Sequence, residues 1–388
     1  EAASEIVRAA DLVHRERWEP VVLGDDTFDY EPDWSDVDIA AADLFRSLAD
    51  SNALLAEDLD TCWNLATQLA ETLPDDLGTS DEYDGARRTD PLHRAINSPY
   101  GVGLQAILAL GGWEHRNLDA ASDRLDASLS KAIGVSGAAG LALRAVIAAS
   151  RPFIETIAGD WLRRNNEELF DGDAGQLIFA QTLRYSRPTR TFYDNSFARL
   201  LGAARRGADH AAAWLLIACL WDEPDYSFER IVDGLQGSDL ALGHISRELP
   251  RLVRDVPADQ SQIVDRGVEL WRQLLNAAGT RVPTGSLHGL GGWVFADRVD
   301  PAVWLELTER TVELTAGEMT NATEVAERCR DLQPSAAALR LLLALLGHGE
   351  TWERHHIDGM GVEALQVAIR HGLVDEAVDR LRERLIQR

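Results

Sequence analysis

The sequence predicts an all-α fold, an α-solenoid or helical-repeat array of about fifteen short antiparallel helices. Three observations predict it. Apolar residues recur at helical spacing from one end of the chain to the other. Helix starts are written in consistent capping chemistry, with Asp90-Pro91, Ser98-Pro99 and Asp300-Pro301 each placing a side-chain acceptor before a proline suited to the first helical position. No segment alternates over the length of a strand, apart from the short "EPVVLG" near Val21 and "GGWVFA" near Val294.

In chain order, "EAASEIVRAADLVHRERW" is an amphipathic charged helix, and "LGDDTFDYEPDWSD" is an acidic connection leading to a capping-box-like pair, Ser35 and Asp38. A second acidic connection, "LPDDLGTSDEYDGARRTD", separates an N-terminal helical segment, residues 1–85, from a repeat array over 86–388. Calcium binding in these connections lacks the ligand spacing of an EF-hand loop. Gly159, Gly207, Gly279, Gly347 and Gly372 follow helical stretches, where a left-handed residue closes a last turn. "AAAWLLIACLW" and "AAALRLLLALLG" are apolar almost all round, so they belong between neighbouring helices. Asn321 with Glu324, and Pro334-Ser335, open two further helices. Trp63, Trp113, Trp161, Trp214 and Trp271 recur at roughly fifty-residue spacing, in keeping with units of two or three helices. At the C-terminus, Ala364, Leu365, Ala368 and Ile369 share one helix face, Gly372 stops it, and Ala377, Val378, Leu381 and Leu385 share the next, a hairpin of the kind that ends repeat arrays.

Composition narrows the function. A formal net charge of −26 over 388 residues repels anionic membranes and bulk DNA, so nucleic-acid contact requires a local basic patch. Lys131, in "SLSKAIG", is the one lysine, which leaves Schiff-base chemistry a single candidate in an ordinary helical context. Three scattered cysteines without a CxxC pair argue against a disulfide framework or a thiolate zinc site and predict a reducing cytoplasm. No apolar run approaches the roughly 18 residues of a membrane span. The chain opens at Glu1 without a methionine, which predicts a piece of a longer protein or a trimmed chain.

Four stretches carry candidate chemistry. "DPLHRAINSPYGVG" lacks a P-loop pattern, a preceding strand and a nearby lysine, so Gly101 and Gly103 are expected at a close helix contact, not around a phosphate. "LRYSRPTRTFYDNSFARLLGAARRG" is a positive island: Arg184, Arg187, Arg190, Arg199, Arg205 and Arg206 stand with Asp194 as the one acid. Tyr185, Phe192, Tyr193 and Phe197 interleave with them, a composition suited to stacking on bases and gripping phosphates or carboxylates, with Tyr193 as the stacking face. The same arginines could instead pair with acids on adjacent helices. "TWERHHIDG" gathers Glu353, His355, His356 and Asp358, all metal-binding types, but without the HExxH spacing. No GxSxG elbow supports a serine triad.

"AINSPYG" with its following apolar helix, together with "GLALRAVIAASRPFIETIAGDWLRRNNEELFD", resembles the C-terminal α-helical region of bacterial antiphage defence proteins, where it follows a sirtuin-type or nucleotide-oligomerising module. The likeness covers roughly Asp90 to Asp222. It implies a target-sensing or autoinhibitory array whose effector lies outside this sequence, and it carries over no catalytic residue. The expected function is therefore a non-enzymatic helical sensor without a cofactor. Its partner would be a protein or phage-derived ligand, or nucleic acid through Arg184, Arg187, Arg190, Tyr193, Arg205 and Arg206, and it could be an oligomer. The alternative is a metal-dependent hydrolase built on His355, His356 and Asp358.

Overall fold

The computed structural model describes residues 2–15, 34–73, 90–118, 123–346 and 351–386. Among them are twenty α-helices and no strand, so the all-α prediction holds. The acidic connections and "EPVVLG" fall almost wholly outside the described residues, as does Gly347. The chain divides into two compact units, Glu1–Pro188 and Thr189–Arg388.

Unit 1 contains α1 (Ala2–Arg15), α2 (Trp34–Asp50), α3 (Leu59–Glu71), α4 (Pro91–Ile96), α5 (Pro99–Leu118), α6 (Asp123–Gly134), α7 (Gly137–Ala149), α8 (Arg151–Leu169) and α9 (Gly172–Tyr185). Its centre is α5, nearly all of whose residues from Tyr100 to Glu114 are buried. Both α2 and α3, which precede the expected boundary near residue 85, pack on α5. Ser98 accepts a hydrogen bond from the Gly101 amide at 3.3 Å, starting α5 as its sequence predicts. Gly103 then lets α3 approach: a Cβ there would lie 2.6 Å from the Ala70 nitrogen and 3.0 Å from the Ala66 oxygen. The glycine pair thus serves helix packing. In α2, Asp38 is buried with its carboxylate 3.2 Å from His14 Nδ1 of α1, and the side chain of Ser35, its expected capping partner, lies outside the described residues. Gly159 does not stop its helix; α8 continues past a kink at Ala158, where φ is −145° and ψ 43°.

Unit 2 contains α10 (Arg190–Tyr193), α11 (Phe197–Arg205), α12 (Asp209–Leu220), α13 (Phe228–Leu235), α14 (Asp239–Arg254), α15 (Ser261–Ala277), α16 (Pro301–Leu314), α17 (Ala322–Asp331), α18 (Ala336–Leu345), α19 (Thr351–Arg370) and α20 (Glu376–Ile386). From α16 onward each helix packs on the next but one, α16 on α18, α17 on α19 and α18 on α20, which is how successive helical hairpins stack. Asp300 accepts from the amides of Ala302 and Val303, and Ser335 accepts from Ala338, so both starts are capped as read. Asn321 differs: it holds φ 58° and its side chain caps nothing. Gly207, Gly279 and Gly372 take positive φ beyond their helices, as the stop signals require. "GGWVFA" belongs to a 3₁₀ helix, Thr284–Phe295, and forms no strand. Its glycines permit backbone contact with α14, where a Cβ on Gly289 would sit 2.6 Å from the Arg247 nitrogen, and Trp293 stacks on Trp271 at 4.7 Å.

All five tryptophans of the spaced series are buried. No single described helix is long and apolar enough to cross a membrane; α7 and α8 together reach that length and composition but are bent by 98°.

Candidate functional site

The arginine stretch begins in the last turn of α9, and the division between the units falls within it, at Pro188–Thr189. Its two parts therefore belong to different units.

In unit 1, Arg184 and Tyr185 converge on Asp90. The Tyr185 hydroxyl donates to Asp90 Oδ2 at 2.8 Å, Arg184 Nη1 lies 3.4 Å from the same oxygen, and the guanidinium sits over the Tyr185 ring at 5.0 Å. Asp90 also accepts from the Leu92 amide as the cap of α4. Partial burial works to raise its pKa, but the hydrogen bonds from Tyr185, Leu92, His93 and Gln181 outweigh it and hold the carboxyl below the ordinary aspartate value. The acid raises the Tyr185 pKa in turn, chiefly through their shared hydrogen bond. Arg187 is exposed and has no ion pair among the described residues.

In unit 2, Arg190 Nε lies 3.3 Å from Glu223 Oε1, an oxygen otherwise buried without a hydrogen bond. Arg199 is half-buried and has a partner within the protein. Arg205 and Arg206 close α11, are exposed, and face no acid within ion-pair distance among the described residues. The carbonyl end of the helix favours cations there. Internal pairing thus accounts for part of the island, and Arg187, Arg205 and Arg206 remain outside it.

The aromatic residues do not form the expected stacking surface. Tyr193 is 3% exposed and Phe192 1%. The single turn of α10 directs both rings inward against Trp214 of α12, with centroids 4.7 Å (Phe192) and 6.4 Å (Tyr193) away. Two large rings gain more by burial than by lying in water. The Tyr193 hydroxyl donates to the Trp214 carbonyl at 3.0 Å, and burial raises its pKa well above the ordinary value, so it is a neutral core phenol. Tyr193 is withdrawn as a stacking residue; of the four aromatics, Tyr185 alone is exposed, and Phe197 is half-buried beneath Arg230 at 4.7 Å.

His355 and His356 are exposed on α19, where adjacent residues diverge by about 100°. Asp358 is half-buried, and His356 reaches Glu327 at 3.9 Å. The Glu353 side chain lies outside the described residues. Among the described residues no group of three or more His, Cys, Asp or Glu side chains could hold a metal. Burial pushes the Cys62 and Cys219 thiols up to about 12 and raises Cys329 as well, so these thiols are protonated at neutral pH and poor nucleophiles.

One feature was not legible in the sequence. Within unit 1 a slot of about 160 Å³ opens between α3, α5, α6 and α7, lined by Leu104, Ile107, Ala132, Val135 and Leu143 among others. Lys131 also lines it and pairs with Glu71 of α3, Nζ to Oε1, at 2.5 Å. Local pattern explains the placement: Leu125, Leu129, Ala132 and Ile133 form the buried stripe of α6, and Ser128 and Lys131 flank it. The lone lysine is visible in the sequence; that α3 and α6 bring it to an acid beside an apolar slot is not.

Comparison with protein-family models, with curated proteins and with solved structures finds no match to this chain.

Proposed function

We propose that the chain is a helical interaction module that recognises an anionic partner, a protein or a nucleic-acid segment, through exposed arginines of unit 2. It serves as the sensing portion of a larger cytoplasmic defence protein. One observation carries the recognition: Arg205 and Arg206 stand exposed and adjacent, with no acidic partner among the described residues, in a chain of net charge −26. In such a chain an unneutralised cationic pair is the place where an external anion meets the least repulsion. The defence context rests on the sequence likeness over Asp90 to Asp222, and the reducing compartment on three unpaired cysteines, two of them buried.

The test is fluorescence anisotropy with a labelled oligothymidine and with a labelled polyglutamate peptide, each at low and high salt. The paired reversal Arg205→Glu with Arg206→Glu should abolish binding while lowering the melting temperature only slightly, through the lost interaction with the carbonyl end of α11. For the oligonucleotide, two phosphate contacts correspond to a slope of log affinity against log salt of about −1.4. Undiminished binding by the reversed variant, or no binding of either probe to the wild type, refutes the proposal.

A further inference from the structure

We propose that the slot in unit 1 is a binding site for a free apolar α-amino acid, with its side chain among α3, α5, α6 and α7 and its charged head at the Lys131–Glu71 pair. The slot's size selects the side chain. Its volume of about 160 Å³ is close to that of an engineered apolar protein cavity of about 150 Å³ that takes up benzene. A leucine or phenylalanine side chain is of that order, and a long acyl chain is too large.

The head group follows from charge. Lys131 and Glu71 lie 2.5 Å apart with side chains 62% and 42% exposed, so their mutual attraction is largely screened and is cheaply exchanged. An incoming carboxylate alone would take Lys131 and leave Glu71 without its cation. An incoming ammonium alone would do the reverse. A zwitterion replaces one ion pair with two, its carboxylate meeting Lys131 and its ammonium meeting Glu71. The hydroxyls of Thr67 and Ser128 line the same slot and can hydrogen-bond to either head group. Every residue invoked belongs to unit 1, so this site is independent of the arginines in the reading above.

The experiment is titration calorimetry on the full chain with L-leucine and L-phenylalanine, set beside 3-phenylpropionate and phenethylamine, which keep the ring and one charge each. The amino acids should bind saturably, and each singly charged analogue should bind about ten-fold more weakly or worse. Lys131→Met and Glu71→Gln, both at exposed positions, should weaken L-phenylalanine by a similar factor with unchanged melting temperatures. The exchanged pair Lys131→Glu with Glu71→Lys, which restores both charges, should recover binding. The proposal is overturned by absence of saturable binding of both amino acids at millimolar concentration, by analogues that bind as well as L-phenylalanine, or by wild-type affinity in Lys131→Met.

Discussion

Gly103→Ala and Gly243→Ala make the same chemical change inside two helices and should move stability in opposite directions. A β-carbon at Gly103 would lie 2.6 Å from the Ala70 nitrogen, which is 0.8 Å short of the 3.4 Å at which ordinary contact begins. The obstructing atoms include backbone of α3, which cannot rotate away, so α3 and α5 must separate. Overpacking of this kind costs about 1–3 kcal/mol, and the gain in helix propensity on replacing glycine by alanine returns about 1 kcal/mol, which leaves a net destabilisation of up to about 2 kcal/mol. At Gly243, inside α14, nothing lies within 4 Å of the added carbon, so the propensity gain of about 1 kcal/mol stands unopposed. Gly103→Leu, with a branched side chain at the same contact, should lie at the severe end of the overpacking range. Urea unfolding followed by circular dichroism measures all three, with the midpoint compared at constant m-value. If Gly103→Ala stabilises the protein as Gly243→Ala does, the close approach of α3 and α5 is not the reason for glycine at this position.

Two further outcomes follow from named contacts. Ser98→Ala removes the acceptor for the Gly101 amide and should cost about 1 kcal/mol in the same unfolding experiment, and Ser98→Asn, which retains a capping oxygen, should recover most of it. Because the folded state holds the Asp90 carboxyl below its ordinary value of 3.8, its contribution is fully present above that pH and is lost as the pH falls through the lower folded value. Tyr185→Phe removes one of the hydrogen bonds responsible, so the acid unfolding midpoint should move to higher pH; an unmoved midpoint refutes the role given to that bond.

Local chemistry determined a large part of this protein. Helix starts at Asp90, Ser98, Asp300 and Ser335 were legible because a cap is written in the few residues that make it, and a cap works through bonds two or three residues away. The all-α class was legible because periodicity and the lack of alternation are local properties of the chain. Charge was legible too, but only as composition. Which arginines are neutralised depended on Asp90 and Glu223, residues 94 and 33 positions from their partners Arg184 and Arg190, and no local pattern specifies such a pairing. Tyr193 was misread for the same reason: its spacing among arginines suits a stacking surface, and only the position of Trp214 turns the ring into the core. The 3₁₀ helix Thr284–Phe295 stands where a strand seemed possible because its glycines fit against α14, a contact between elements about forty residues apart. Sequence alone thus determined where helices begin, what class of fold they build and which side chains are available for chemistry. Tertiary structure decided which of those side chains are paired, buried or brought to the apolar slot, since burial and pairing are set by neighbours that folding supplies from distant parts of the chain.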